Sequence, residues 1–335
     1  MTHVEDAGPK RSVRSPGTRT GPGPAAGPAT PGSRGRDAGR SRRENLAGYL
    51  FLAPWVAGLL ILTAGPMLVS LYLSFTDYDL FDAPKWIGLH NFSEMFGDPR
   101  WQKSVRVTLQ YVAVGTPLKL LLALGVALLL HQNRRGQAFY RAAFYTPSLI
   151  GASVSIAIVW RALFSDGSVV DRVQQLFGIH AGGWISNPEW KLYSLVLLTV
   201  WQFGAPMVIF LAGLKQVPRE LYEAAEVDGA GTWRRFWSIT LPMISPVLFF
   251  NLLLETIHSF QIFGSAYILG SAGSSCGPAD SVLVYTCYLY DQGFAGGRMG
   301  FASAMAWVLL VTVGLVTAVL FWSQKRWVYY EEASR

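Results

Sequence analysis

The feature that most constrains this chain is a series of long apolar runs almost free of charge. Residues 45–76, 142–160, 194–214 and 300–322 contain no Asp, Glu, Lys or Arg. Residues 107–130 contain one such group, Lys119, and residues 236–269 contain Glu255, with His258 beside it. Each run reaches or exceeds the roughly 17–25 residues that a helix needs to cross about 30 Å of hydrocarbon. Charged residues make up 15% of the chain, well below the roughly 25% of a soluble domain. The expectation is an all-α membrane protein with six transmembrane helices.

The polar segments between the runs alternate in charge. Lys and Arg number nine before Tyr49, three in 131–142, four in 215–240 and three after the last run. The alternate loops, 75–104, 165–192 and 270–299, hold three, two and one. The positive-inside rule therefore places the first set, both termini included, on the cytoplasmic side of the membrane. This asymmetry explains the net charge of +7 without nucleic acid as a partner, and leaves membrane lipid as the surroundings. Residues 1–45, built from Gly, Pro, Arg, Ser, Thr and Ala, cannot bury a core and are expected to be a disordered basic tail. Residues 46–322 form the transmembrane domain, and 323–335 a cytoplasmic C-terminal tail.

Several chemistries are unsupported. Two cysteines, Cys276 and Cys287, offer neither a zinc cluster nor a disulfide scaffold. The histidines form no H-E-x-x-H pair, and no Gly-Lys-Ser or Gly-Lys-Thr occurs, so the chain has no P-loop for nucleotide hydrolysis. No catalytic cluster, metal or cofactor is implied. Cys287 lies in the apolar run SVLVYTCYLY, which suits a buried thiol; an oxidised pair with Cys276 is the alternative.

The loop 215–240 carries the most specific signal. Within PRELYEAAEVDGAG, Pro218 suits the first position of a short helix and Gly229, after Asp228, its left-handed stop. Leu221, Ala224 and Ala225 fall on one face, with Glu220, Glu223 and Glu226 on the other sides. Two adjacent alanines leave the backbone thinly covered, so such a helix can sink into a cleft on another protein and offer carboxylates to its Arg or Lys. A plain solvated connector is the alternative. Beyond the Gly turn, Thr232 suits an N-cap, and Trp233, Phe236, Trp237 and Thr240 follow at helical spacing, as for a helix at the headgroup level. Leu241-Pro242 then opens the fifth span, and Pro246 one turn later makes its cytoplasmic end irregular.

EAA…DGA, followed by Phe236, Ile239, Leu241-Pro242 and Pro246, resembles the EAA loop of binding-protein-dependent ABC importer permeases. LAPWVAGLLILTAGPMLVSLYLSFTDY, FYRAAFYTPSL at 139–149, GP at 277–278 and YYE near the C-terminus resemble the carbohydrate-uptake branch, in particular its first permease subunit, akin to lactose, maltose and glycerol-phosphate permeases. The resemblance covers about residues 46–331. It implies that the short helix, between spans four and five, couples the chain to a cytoplasmic ATPase. Glu223, Ala224, Ala225, Asp228, Gly229 and Ala230 match the motif. It further implies a second permease subunit as heterodimer partner, cytoplasmic ATP-binding subunits and an extracytoplasmic solute-binding protein. The solute would be a sugar, or alternatively a non-sugar such as glycerol phosphate. A stand-alone secondary transporter would show matched broken spans in inverted halves, which the sequence does not display clearly.

A solute path is suggested by NLLLETIHSFQIF in the fifth span. Asn251, Glu255 and His258 lie at i, i+4, i+7 on one face, with Gln261 toward its edge. Ionisable groups inside a membrane face a bundle interior or a watery cavity. Glu255 lies about 21 Å along the helix from Leu241 and Lys119 about 17 Å from Leu130, so an internal Lys119–Glu255 pair is the alternative. Trp201 and Gln202 in the fourth span could add a stacking surface and an amide. The outer acids Asp77, Asp79, Asp82, Glu94 and Asp98 either close the bundle or, as the resemblance implies, receive the solute-binding protein. Ala302, Ser303 and Ala306 offer a small-residue surface for an internal contact or a subunit seam.

Overall fold

The computed structural model describes residues 48–132, 136–151, 154–176, 178, 184–270 and 280–329. The tail expected over 1–45, Cys276, the GP at 277–278 and the last residues of the C-terminal tail lie outside the described residues. The chain divides between Thr63 and Ala64 into two units. In the first, the described residues are helical and pass into π-type hydrogen bonding from Leu60. The second is helical apart from one antiparallel ladder, β1 (Thr76–Asp77) with β2 (Lys85–Trp86).

Among the described residues, three helices are long and apolar enough to cross a membrane: α1 (Gly48–Ser74), α3 (Pro99–His131) and α14 (Met299–Trp327), with α2 (His90–Gly97) between the first two. Three bent pairs raise the number to six if each pair is one span. They comprise α4 (Gln137–Gly151) with the helices that follow it, α5 (Val154–Phe164) and α6 (Val169–Leu176); α7 (Pro188–Trp201) with α8 (Gly204–Leu214); and α10 (Thr232–Met243) with α11 (Ser245–Phe260). Between the last two pairs stands the short helix α9 (Arg219–Val227). The remaining short helices are α12 (Gly264–Gly270) and α13 (Tyr285–Tyr290).

Helix α3 organises the second unit. Asp98 caps it, accepting from the Arg100 N–H at 2.9 Å, and Pro99 occupies the first turn, where its missing N–H costs nothing. Its 33 residues span about 50 Å, more than a bilayer's hydrocarbon. Toward its N-terminal half, Val107 and Tyr111 join an apolar cluster with Leu195, Leu198, Val282, Tyr285 and Met305. Toward its C-terminal half, Leu120, Ala123, Leu124 and Ala127 join a second cluster with Met207, Phe210, Leu211 and Ile244. Thr116 and Lys119 fall between the two.

The pair α10/α11 bends by 66°, as the two prolines predict. Pro246 has no N–H to offer the Pro242 carbonyl four residues earlier. The Ser245 hydroxyl donates to that carbonyl instead, at 2.7 Å, and accepts from the Tyr329 N–H at 2.8 Å. A backbone N–H at the cap also reaches that carbonyl, and the Tyr329 bond ties the C-terminal segment to the break. At the opposite end of the molecule, buried Asn91 donates to the Ser74 and Thr76 carbonyls, and Arg298 pairs with Glu94 at 2.6 Å. Arg100 pairs with Asp280 at 2.7 Å. Asp98 also accepts from the Tyr288 hydroxyl; burial, reinforced by that carboxylate, pushes the Tyr288 phenol above its ordinary range. These bonds put Glu94 and Asp98 to work closing this end of the bundle.

Candidate functional site

The short helix α9 has no buried residue. It is closed as its sequence requires. Gly229 has φ +75°, its N–H bonds to the Glu226 carbonyl at 3.0 Å, and the Ala230 N–H reaches back to the Ala225 carbonyl at 2.8 Å. That reciprocal pair is a Schellman stop, which needs a left-handed residue where Gly229 stands. Two boundary expectations shift by one residue. Pro218 is the N-cap, with φ −60° and ψ 135°, and Arg219 begins the helix. Thr232 is the first residue of its helix, capped by Gly231 with no side-chain bond.

Of the face expected to sink into a partner, Leu221 and Ala224 are open and Ala225 is partly covered, and the helix packs on its own chain through Tyr222. Tyr222 and Ala225 are half-buried, and the Tyr222 hydroxyl lies 2.9 Å from that of Thr240 on α10. Leu221 and Ala224 are exposed with Glu220, Glu223 and Val227. The tyrosine decides this rotation, because its ring gains more by burial than an alanine does. What remains outward is a carboxylate-bearing surface with small and apolar residues set into it. Glu226 reaches Arg235 only at 3.7 Å and stays 71% exposed.

On α11 the predicted polar face runs from buried to exposed. Asn251 and Glu255 are buried, whereas His258 is exposed, as is Gln261, which ends the helix as its C-cap. Lys119 and Glu255 meet, Nζ to Oε1 at 2.7 Å, with side chains 11% and 8% exposed. Beside them the Thr116 and Ser259 hydroxyls lie 3.0 Å apart, and the Tyr111 hydroxyl lies 2.7 Å from that of Thr199. The Asn251 amide donates to the Val247 carbonyl of its own helix at 3.2 Å. A layer of polar groups thus joins α3 to α11 and α7 at the seam between the two apolar clusters.

Trp201 and Gln202 sit where α7 breaks from α8, and both have internal partners. The Trp201 ring centroid lies 5.8 Å from that of Trp160. Gln202 donates through its side-chain amide to the Leu198 carbonyl at 3.3 Å, and its backbone carbonyl accepts from the Ser148 hydroxyl at 3.0 Å. Its side chain fills the space over Gly151, where a Cβ would come within 2.4 Å. Among the described residues, neither shares a hydrogen bond or ring contact with Asn251, Glu255 or His258. Cys287 is fully buried, as its apolar run suggests. Ala302 is buried within the chain, while Ser303 and Ala306 are half-buried.

Sequence reading missed the Tyr111–Thr199 and Thr116–Ser259 pairs. Their only signal was a Thr or Tyr on the same stripe of α3 as Lys119. It also missed Lys191, which is fully buried, its ammonium nitrogen without a hydrogen-bond partner among the described residues.

Residues 119–327 match the family described as the inner membrane component of binding-protein-dependent transport systems. YesP of Bacillus subtilis (strain 168), named as a probable ABC transporter permease, is 50% identical over 87% of this chain and 94% of its own length. The arabinooligosaccharide transport system permease AraP of the same organism is 31% identical over 82% of this chain and 88% of its own. A lactose transport system permease, LacF of Rhizobium radiobacter, is 28% identical over 85% and 96%. Among solved structures, a bacterial ABC transporter involved in import of the acidic polysaccharide alginate superimposes with a TM-score of 0.72 at 22% identity, covering 87% of this chain and 99% of that one. The same type of transporter in complex with an alginate-pentasaccharide-bound periplasmic protein gives 0.73 at 20% identity, over 86% and 96%.

Proposed function

The chain belongs to the binding-protein-dependent transport system inner membrane components, and from that premise we propose that it is the first permease subunit of a sugar importer, coupled through α9 to a separate ATPase. As a member of that family it is a multi-pass inner membrane protein and a permease subunit, not itself catalytic. The observation that carries the coupling reading is the helix α9, none of whose residues is buried, fixed in place by the Tyr222–Thr240 hydroxyl contact and the turn at Gly229. A rigid, carboxylate-edged knob between two spans is suited to a basic groove on another protein. Glu223, Ala224, Ala225, Asp228, Gly229 and Ala230 form that knob and its stop. The remaining components are a second permease, paired ATP-binding subunits and an extracytoplasmic solute-binding protein. Residues 46–322 serve as the permease domain, with both termini cytoplasmic.

The sugar assignment draws on the names of the relatives, which include arabinooligosaccharide and lactose permeases. Glycerol phosphate or another small solute is the second reading. The solute path follows the α11 face, with His258 and Gln261 at its open end and Asn251 deeper. Glu255 lines it while held by Lys119, and Trp201 and Gln202 support the neighbouring break. Reconstitution with candidate ATPase, second permease and binding protein, followed by solute-stimulated ATP hydrolysis, tests the proposal. Stimulation is expected only in the full set and is lost in Glu223→Lys at normal expression. Solute flux through the chain alone, or unchanged stimulation in that variant, overturns it.

A further inference from the structure

Lys191 is the only fully buried Lys or Arg among the described residues, and its ammonium nitrogen has no hydrogen-bond partner there. It stands on α7 one turn inside the Asn187 cap, and Ser194, Leu195 and Leu198 share its buried face. The Trp160 indole N–H of α5 donates to the Ser194 carbonyl at 3.2 Å, so α5 lies over that face. A second cation comes with it. Arg161, half-buried in the last turn of α5, is the one charged group that acts electrostatically on Lys191. Among the described residues no carboxylate pairs with either cation, and neither cation lies over an aromatic ring. The acids nearest in sequence are engaged elsewhere: Asp166 accepts from the Ser186 hydroxyl at 2.6 Å, and Asp171 from the Gly167 N–H at 3.0 Å and the Gln175 amide at 3.1 Å. Glu189 is exposed on α7. Residues 133–135, 152–153, 177, 179–183 and 271–279, outside the described residues, contain no Asp or Glu.

An ammonium carries three donors, and a charge held in an apolar interior is costly unless it is paired. Loss of its proton would relieve Lys191 alone. The Arg161 guanidinium stays charged in any case, and the first turn of α7 adds the partial positive charge of a helix N-terminus. The space between the two helices is therefore positive whatever Lys191 does. We propose that Lys191 and Arg161 together hold one small anion, of the size of chloride, between α5 and α7. Full burial of Lys191 suits a small ion and excludes a bulky carboxylate. Bound there, the ion ties the last turn of α5 to the first turns of α7, next to the Trp160–Ser194 bond and the Trp160–Trp201 ring contact that leads to the α7/α8 break. The inference rests on the packing of α5 against α7, and not on which ATPase or solute the chain serves.

The test uses the full chain in phosphatidylcholine nanodiscs, with chloride exchanged for gluconate at fixed ionic strength. The midpoint of thermal unfolding is expected to be higher in chloride, by roughly 2–4 °C for each tenfold rise in chloride above its dissociation constant. Bromide should act as chloride does. Lys191→Met keeps the length of the side chain without its charge, and is expected to unfold at the same temperature in chloride and in gluconate. Arg161→Gln should shrink the chloride shift, and provides the comparison if Lys191→Met does not fold. Equal midpoints for the unaltered chain in the two salts overturn the proposal, since Lys191 would then be neutral or satisfied within the chain. A chloride shift that survives in both variants overturns it as well, because the ion would then act elsewhere. The measurement involves no ATPase, second permease or solute, so its failure leaves the permease reading intact, and failure of the ATP hydrolysis assay leaves a chloride shift standing.

Discussion

Gly229 and Glu255 show how differently single residues act in this chain. At Gly229, φ is +75°, a conformation that costs a β-branched residue about 1–3 kcal/mol, and no heavy atom outside its own chain neighbours would obstruct a Cβ there. Gly229→Val is therefore expected to insert normally but to lose coupled uptake, because strain and not crowding displaces the end of α9. Uptake in vesicles, normalised to the amount of inserted protein, checks this. Glu255 is constrained by a partner. Glu255→Gln strands the Lys119 ammonium in a buried site, a loss of about 3–5 kcal/mol when one member of such a pair is removed. The double variant Lys119→Met, Glu255→Gln is expected to regain most of that stability, read as thermal unfolding in detergent. His258→Ala and Asn251→Ala should instead lower uptake while leaving assembly and basal ATP hydrolysis near normal; poor assembly of both would make the whole face structural.

Among the elements, α10 and α11 are the pair whose joint is most exposed to perturbation. The 66° bend exists because Pro246 leaves the Pro242 carbonyl without its helical donor, and Ser245 closes the gap while holding the Tyr329 N–H. Ser245→Ala removes both bonds at a buried site. The Pro242 carbonyl keeps a backbone N–H and Tyr329 is 54% exposed, so the loss is that of ordinary hydrogen bonds, about 1 kcal/mol, and the variant is expected to unfold at slightly lower temperature. Ser245→Thr, which restores a hydroxyl, should recover part of the loss. The aromatic contacts of Phe249 with Phe321 and Trp327 hold α11 against α14 just beyond the joint. A lesion at Ser245 is thus expected to loosen the C-terminal segment first, seen as faster hydrogen exchange at 327–329 than elsewhere in α14.

For the molecule as a whole, the testable property is its disposition across the membrane. Spans at α1, α3 and α14, with three bent pairs beside them, give six crossings if each pair is one span. In the orientation proposed from the alternation of Lys and Arg, α9 and both termini are cytoplasmic. An impermeant thiol reagent added to sealed cells is expected to label Asp82→Cys and Asn187→Cys and to spare Gly231→Cys. Labelling at Gly231 would reverse the orientation on which coupling to an ATPase depends.

Local features were legible in the amino-acid sequence because they follow from short-range chemistry. The apolar runs set the spans, Pro242 and Pro246 set the broken fifth helix, and Asp228-Gly229 set the end of α9. The side on which α9 packs against its own chain was not legible, because the contact that fixes it, Tyr222 with Thr240 on the next helix, is tertiary. Similar depths for Lys119 and Glu255 could be reckoned from helical rise, but depth does not say which faces meet. That pair joins residues 136 apart, Thr116–Ser259 residues 143 apart and Arg298–Glu94 residues 204 apart. Contacts at such separations depend on how helices rotate and pack against one another, and packing is decided by the summed fit of many apolar side chains that no single segment encodes.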